Sequence, residues 1–132
     1  MDVNLEEETK RITLEYIKTG CEGYQKLLKY INGDTKGDLD LYNTKVSYLP
    51  EGLKVGGDLN LSNTDITTLP NGLIVDGILD LEFSAIEELP NDLIIRGGVY
   101  IIHTPIAKKY TRQQLKIMCP NISGYINIPG YR

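Results

Sequence analysis

Residues 53–70 read LKVGGDLNLSNTDITTLP and alternate apolar with polar residues, which is typical of a β-strand. Two features of this stretch disagree with a plain strand. Gly56 and Gly57 are adjacent within it, and Asp58 and Asn60 occupy positions in which Asp and Asn are disfavoured. The surrounding chain therefore has to explain why one strand contains both the glycines and the polar pair.

The pattern recurs every 20 residues. The copy that begins at Gly57 aligns without a gap with copies at Gly37, Gly77 and Gly97, and a partial fifth copy begins at Gly124 after seven additional residues. A 20-residue unit cannot bury its own apolar residues, so such units must stack on one another. The sequence predicts a repeat solenoid in which each coil adds one strand to a parallel β-sheet of about five strands. The apolar columns predicted to form its core begin at Leu39, Leu41, Val46, Leu49, Leu53 and Val55.

The repeated glycines are predicted to be structural. Because the alternation runs through Gly57, we expect this residue to face inward at a corner, where a side chain would collide with the packed interior. A phosphate-binding site would need a P-loop or dinucleotide pattern, and a calcium-binding roll would need a nine-residue period. Neither pattern accompanies the glycines.

An open solenoid exposes apolar core at both ends, so both ends need a cap. We predict an N-terminal helical cap over residues 1–36, four 20-residue repeats over 37–106 and a C-terminal cap over 107–132. The C-terminal cap contains a capping box at Thr111 that begins a short helix. The N-terminal cap is predicted as two helices split near residues 20–23, whose apolar side chains cover the core or, alternatively, dock a partner helix. These side chains are Ile12, Tyr16, Ile17, Tyr24, Leu27, Leu28 and Ile31.

The unit GDLNLSNTDITTLPNGLIV, residues 57–75, resembles a leucine-rich repeat of the short, 20-residue bacterial type. The positions that match the family's leucines and its Leu-Pro step are Leu59, Leu61, Ile66, Leu69 and Pro70. A hydroxyl residue replaces the family's asparagine, and we expect its side chain to hydrogen-bond the backbone of the neighbouring coil. The hydroxyl residues are Thr44, Thr64, Ser84 and Thr104. The chain is also similar to small repeat proteins of bacteria and their phages, and the resemblance implies that its exposed strand face binds other proteins.

Composition and motifs favour a single cytosolic domain without a cofactor. The acidic N-terminus lacks the basic and apolar pattern of a signal peptide, and Cys21 and Cys119 are predicted to be free thiols. His103, the one histidine, aligns with Asn43, Asn63 and Phe83 and is predicted to be a surface turn residue; no motif supports a pair with Cys119. We therefore predict no enzyme activity, no bound metal, no organic cofactor and no membrane contact. The sequence does not indicate an oligomeric state, and the resemblance implies the cytoplasm of a bacterial host cell.

Charge is distributed unevenly along the chain. Residues 37–97 contain eleven acidic and three basic residues, whereas residues 98–132 contain five basic residues and no acidic residue. The strand side chains that point outward are predicted to be acidic in the N-terminal half and aromatic or aliphatic in the C-terminal half. Such acids keep an exposed sheet soluble, but exposed Ile and Tyr side chains beside them also indicate a protein interface, which we favour.

Three outward columns make up this predicted interface. They are Asp38, Asp58, Ile78, Gly98 and Tyr125; Asp40, Asn60, Asp80, Tyr100 and Asn127; and Tyr42, Ser62, Glu82, Ile102 and Pro129. All of these residues except Ser62, Gly98, Asn127 and Pro129 are predicted to contact the partner, and Tyr100 and Tyr125 are expected to supply most of the affinity.

We therefore predict a non-enzymatic protein-binding module whose acidic and aromatic face docks on a basic surface of a protein partner. The partner is expected to be a nucleic-acid-processing protein, and the resemblance to phage proteins implies an inhibitor that occludes the nucleic-acid site of a bacterial defence protein. The alternative is nucleic-acid binding through the basic tail, although the adjacent acidic block would repel phosphates. The basic residues in question are Lys108, Lys109, Arg112 and Lys116.

Overall fold

The computed structural model describes residues 5–128, which form a helical pair, a β-solenoid and a second, short helical segment. The helices are α1 Leu5–Thr19, α2 Glu22–Ile31, α3 Ile106–Lys109 and α4 Arg112–Met118. The strands are β1 Leu39–Asp40, β2 Lys54–Val55, β3 Leu59–Asn60, β4 Ile74–Val75, β5 Leu79–Asp80, β6 Ile94–Ile95, β7 Val99–Tyr100 and β8 Ile126–Asn127. Each strand is short because turns and bends follow it closely along the chain.

The strands form two parallel sheets, and this arrangement confirms the predicted repeat solenoid. The larger sheet has five strands in the order β1-β3-β5-β7-β8. Its register follows the 20-residue period, since Leu39 pairs with Leu59 and Leu59 pairs with Leu79. The last pairing joins Tyr100 to Asn127, so the seven additional residues of the chain lie between β7 and β8. A smaller sheet, β2-β4-β6, precedes the glycine corner in each coil, and the sequence did not predict it.

The core consists of the apolar columns that the repeat predicts. The column residues of the first coil (37–56) and their counterparts in the second (57–76) and third (77–96) coils are all buried. The hydroxyl column is also buried at Thr64 and Thr104, but these side chains donate to carbonyls of their own coil, three residues earlier, at 2.8 and 2.5 Å. The prediction that these hydroxyls bond the backbone of the neighbouring coil was therefore wrong. The turn after each strand already brings a carbonyl of the same coil within reach.

The corner glycines are crowded by the preceding coil and not by the core. A Cβ on Gly57 would lie 2.2 Å from Asp38 Oδ1 and 2.9 Å from the carbonyl carbon of Gly37. Gly77 and Gly97 meet the coil before them in the same way. The prediction that these glycines face the interior was therefore wrong: two coils approach so closely at the corner that no side chain fits between them.

Two helices cap the N-terminal end of the solenoid, and the chain reverses at Gly20, whose φ is +68°. Ile12 and Leu27 are buried in the joint core, as predicted. Ile17 was predicted to pack there too, but it is 70% exposed. A helix rotates by about 100° per residue, so Ile17 lies on a different side of α1 from Ile12, whereas Tyr16 stays close to that buried side.

The Tyr30 hydroxyl joins this cap to the first coil. It lies 2.7 Å from the carbonyl oxygen of Gly37 and accepts the N–H of Gly56 at 3.2 Å. In the second coil the equivalent N–H, of Asp76, donates to the Val55 carbonyl of the coil before it. In the first coil the Gly56 N–H likewise donates to a carbonyl 20 residues before Val55, that of Thr35, at 2.7 Å, and the buried Tyr30 hydroxyl adds a further contact to the same backbone. Burial raises the pKa of the Tyr30 phenol.

Replacing Tyr30 by phenylalanine is expected to lower the free energy of unfolding by about 1 kcal/mol, because the ring stays while a net hydrogen bond is lost. Urea unfolding followed by circular dichroism measures the difference. Tyr16→Phe is the matched control, since the Tyr16 hydroxyl has no hydrogen bond within residues 5–128. Equal stability of the two variants would show that the Tyr30 hydroxyl does not join the cap to the coil.

The predicted capping box at Thr111 is present. Thr111 Oγ1 accepts the N–H of Gln114 at 3.1 Å, and Gln114 Oε1 accepts the N–H of Thr111 at 2.9 Å, so α4 begins at Arg112. The single turn α3 was not predicted. Cys21 and Cys119 are free and buried in opposite caps, as expected from the sequence.

Lys116, in α4, closes the C-terminal end of the solenoid. Its Nζ donates to the carbonyls of Ile122 and Gly124, both at 2.8 Å. The equivalent carbonyls one coil earlier, those of Ile95 and Gly97, accept backbone N–H groups of the following coil. The ammonium group of Lys116 thus occupies the place of the amides that a further coil would supply.

Candidate functional site

The strand face is the outer surface of the five-stranded sheet, and its three columns lie in register. Asp80 pairs with Tyr100, for example, across the third and fourth coils (97–123). Tyr42 and Tyr125 are 53% and 59% exposed, whereas Ser62 is only 8% exposed. Larger side chains flank the small serine in the neighbouring coils. The half-buried side chains of the face are those of Asn60, Ile78, Asp80, Glu82, Tyr100, Ile102 and Asn127, and Pro129 lies outside the described residues.

The first column uses its carboxylates to join one coil to the next. Asp38 Oδ1 accepts the N–H of Asp58 at 2.7 Å, and Asp58 Oδ1 accepts the N–H of Ile78 at 2.8 Å. A Cβ on Gly57 or Gly77 would lie 2.2 or 2.1 Å from these same oxygens. The glycine of each following coil therefore leaves the space that the aspartate occupies, which explains why this strand carries both residues.

The second column terminates the strands. Asp40, Asn60 and Asp80 each place Oδ1 on the backbone N–H two residues later, at 3.0, 2.9 and 3.0 Å. A side chain that bonds its own backbone in this way forms an Asx turn, for which Asp and Asn are the favoured residues. These side chains have a structural role that the sequence interpretation missed, and the aspartates among them still present negative charge to solvent.

Glu82, in the third column, is the acid of this face that the fold leaves unused. Within residues 5–128 its carboxylate has no hydrogen-bond donor and no ion-pair partner. Burial raises the pKa of Glu82, the nearby Asp80 carboxylate raises it further, and His103 lowers it. The carboxylate is thus partly dehydrated and lies beside a like charge, which is a favourable place for a cation.

The C-terminal end of the face is aromatic and contains a cation of its own. The guanidinium of Arg112 lies 4.5 Å from the ring centroid of Tyr125, and its Nε donates to the Ile126 carbonyl at 2.8 Å. The Tyr100 ring crosses Gly98, where a Cβ would lie 3.6 Å from Cε1 of that ring. Tyr125 therefore presents one side to Arg112 and the remainder to solvent.

A fourth column, which we call the turn row, follows the strands and consists of Asn43, Asn63, Phe83 and His103. All four have left-handed backbone, with φ between 56° and 62°. Asn63 Nδ2 donates to Asn43 Oδ1 at 2.6 Å, and the rings of Phe83 and His103 stack with centroids 4.6 Å apart. Asn tolerates this backbone, whereas a bulky residue in it costs of order 1–3 kcal/mol.

Phe83 is the site residue that the sequence analysis missed. Its ring is 58% exposed although it occupies a strained position. The signal was present in the alignment: the column begins with two asparagines, the residues most suited to left-handed turns, and then changes to an aromatic residue.

The basic tail is largely engaged inside the molecule. Lys109 Nζ donates to the Glu88 carboxylate, and the Tyr110 hydroxyl donates to the same group at 3.0 Å. Lys109 and Tyr110 together hold the pKa of Glu88 below its usual range. With Lys116 and Arg112 bonded to backbone carbonyls, Lys108 is the residue of this cluster for which the structure gives no such role. These contacts weaken the case for nucleic-acid binding through the tail.

Cys119 and His103, the two side chains considered for a nucleophilic pair, lie in different surroundings. Cys119 lies in the core with Sγ 3.5 Å from the Pro90 carbonyl oxygen, and burial raises the pKa of its thiol, while His103 is exposed on the turn row. Among residues 5–128, no group of three His, Cys, Asp or Glu side chains is placed to hold a metal ion. No helix in that part of the chain is both long enough and apolar enough to cross a membrane.

Comparison of this chain with protein-family models, with curated proteins and with solved structures finds no match.

Proposed function

We propose that this chain is a non-enzymatic binding module that docks its strand face on a basic surface of a protein partner. One observation carries the proposal: Tyr42, Phe83 and Tyr125, each more than half exposed, lie on this face or on its turn row, and the face also carries the carboxylates of Asp40, Asp80 and Glu82. Exposed aromatic residues within a polar, charged surround are typical of protein interfaces, in which a few buried anchors supply most of the affinity.

The charge of the face selects the class of partner. Asp40, Asp80 and Glu82 present negative charge, and the coils that carry them are rich in acids. A positive groove on the partner would match this field and would accelerate association. Proteins that process nucleic acids have such grooves, so we propose an inhibitor that covers a nucleic-acid site. The resemblance to phage repeat proteins extends this proposal to bacterial defence proteins.

The test is affinity capture from a bacterial lysate, with the wild-type chain and a Tyr100→Ala/Tyr125→Ala variant immobilised side by side. Loss of both rings is expected to weaken binding of the captured partner by about 2 kcal/mol or more, which is about 30-fold in Kd. Ile117→Ala is the control, because Ile117 is an exposed apolar residue of α4 that belongs neither to the strand face nor to the turn row. Equal capture by all three proteins would place the binding surface elsewhere.

Occlusion is tested separately on the purified partner. The chain is expected to compete with the nucleic acid that the partner binds, and added salt is expected to slow association more than it speeds dissociation. Simultaneous binding of the chain and the nucleic acid would overturn the occlusion while leaving the docking surface intact.

A further inference from the structure

Six residues on the third and fourth coils form a compact surface that we call the aromatic-acid patch. Register places them in adjacent pairs, since Asp80 pairs with Tyr100 and the Phe83 N–H donates to the Ile102 carbonyl further along the same two coils. The patch consists of Asp80, Glu82 and Phe83 on the third coil and Tyr100, Ile102 and His103 on the fourth.

The fold does not require Phe83 in this position. Asn43 and Asn63 take the same left-handed backbone in the earlier coils and connect those coils by a side-chain hydrogen bond. Phe83 adopts this backbone with a bulky side chain, buries less than half of its surface, and has its ring contact with His103. A strained and exposed aromatic residue is a reason to suspect function, because the fold gains little from it.

The fold does not require the Glu82 carboxylate either. Asp38 and Asp58 accept amides of the next coil, and Asp40 and Asp80 accept amides of their own turn. Glu82 makes no such bond within residues 5–128, although it lies next to Phe83 and is partly buried. The patch thus combines an uncommitted carboxylate with exposed aromatic surface.

We propose that the aromatic-acid patch is the anchor of the interface and receives an arginine side chain of the protein partner. This inference rests on the proposed function and names the chemistry of its centre. A guanidinium is planar, so it can bond the Glu82 carboxylate through its N–H groups while its flat side lies against an aromatic ring. A lysine ammonium carries the same charge, but it is not planar and cannot bond the carboxylate while lying flat against the ring.

The chain itself shows the same contact nearby. Arg112 places its guanidinium on the Tyr125 ring at one end of the face. That internal cation makes the Tyr125 end less suitable for a second positive group, because like charges repel at this range. The place for the partner's arginine is therefore the patch centred on Glu82 and Phe83.

The experiment titrates the isotope-labelled full chain with nona-arginine and, separately, with nona-lysine, in buffer of physiological ionic strength, and follows the amide resonances. The two peptides have equal charge, so their difference isolates the guanidinium contribution. Nona-arginine is expected to bind about fivefold more tightly than nona-lysine, with the largest shifts at residues 80–83 and 100–103. Phe83→Asn and Glu82→Gln are each expected to remove most of this preference.

Phe83→Asn is also its own fold control, since Asn occupies the same column at positions 43 and 63. Its melting temperature is expected to equal or exceed that of the wild type. Should it fold poorly, Glu82→Gln and His103→Asn give the same test. Shifts centred on other acids, equal affinity for the two peptides, or an unchanged preference in these variants would overturn the inference. The capture experiment with Tyr100→Ala/Tyr125→Ala decides the proposed function separately, because its readout is the natural partner and does not depend on whether that partner contributes an arginine.

Discussion

Gly97→Ala is expected to destabilise the fold by about 3 kcal/mol, while Gly37→Ala, in the same repeat column, is expected to be nearly neutral. A Cβ on Gly97 would lie 2.6 Å from the carbonyl oxygen and 2.7 Å from the carbonyl carbon of Gly77. Both obstacles are backbone atoms of a hydrogen-bonded coil, so they cannot rotate away. At Gly37, which begins the first coil, nothing lies within 4 Å of the same position.

Thermal unfolding compares the two variants directly, and a loss of this size corresponds to a decrease in melting temperature of about 10 °C for a domain of this length. Gly57→Val is expected to lose at least as much, because the valine side chain would meet both the Asp38 carboxylate and the Gly37 backbone. If Gly97→Ala and Gly37→Ala melt together, close contact between coils is not the reason for glycine at the corner.

The repeat itself made most of the fold predictable. A fixed period of 20 residues places Leu39, Leu59 and Leu79 in one ladder, whatever the details of each turn, and the structure has that register. The direction of the glycine contact was not predictable in the same way. Alternation distinguishes the two faces of a strand, but it does not describe a corner at which the side-chain position points along the solenoid axis toward the preceding coil.

The position of the candidate site was predictable from the sequence, but the structural role of each of its residues was not. Periodicity identified the outward columns, yet it treated Asp40 and Asp80 as surface charge, because a sequence does not show which side-chain oxygen accepts a backbone amide. Phe83 was missed for a related reason: its importance depends on a left-handed backbone and on exposure, and both follow from the turn geometry. From the sequence, the lysines of the tail were free to bind nucleic acid. In the structure, Lys109 pairs with Glu88 and Lys116 donates to the Ile122 carbonyl.

Removing the carboxylate of a first-column aspartate is the second change that we expect to lower the stability of the fold strongly. Asp58→Ala is expected to lower the free energy of unfolding by about 2 kcal/mol, because the N–H of Ile78 then loses its charged acceptor next to a crowded corner. Asp58→Asn keeps an oxygen in the same place, so most of the stability should remain. This pair of variants separates the hydrogen bond from the negative charge.

Asp65→Ala completes the comparison, since Asp65 is an exposed acid of the same coil without a hydrogen bond in the described part of the chain. Urea unfolding of the three variants should rank Asp58→Ala as the least stable, with Asp58→Asn and Asp65→Ala close to the wild type. A similar loss in both Asp58 variants would instead assign the effect to charge, and no loss in either would make Asp58 a surface residue available to the partner. The expected ranking means that aspartate and the following coil's glycine act as one structural unit, in which each glycine leaves the space that its neighbour's carboxylate fills.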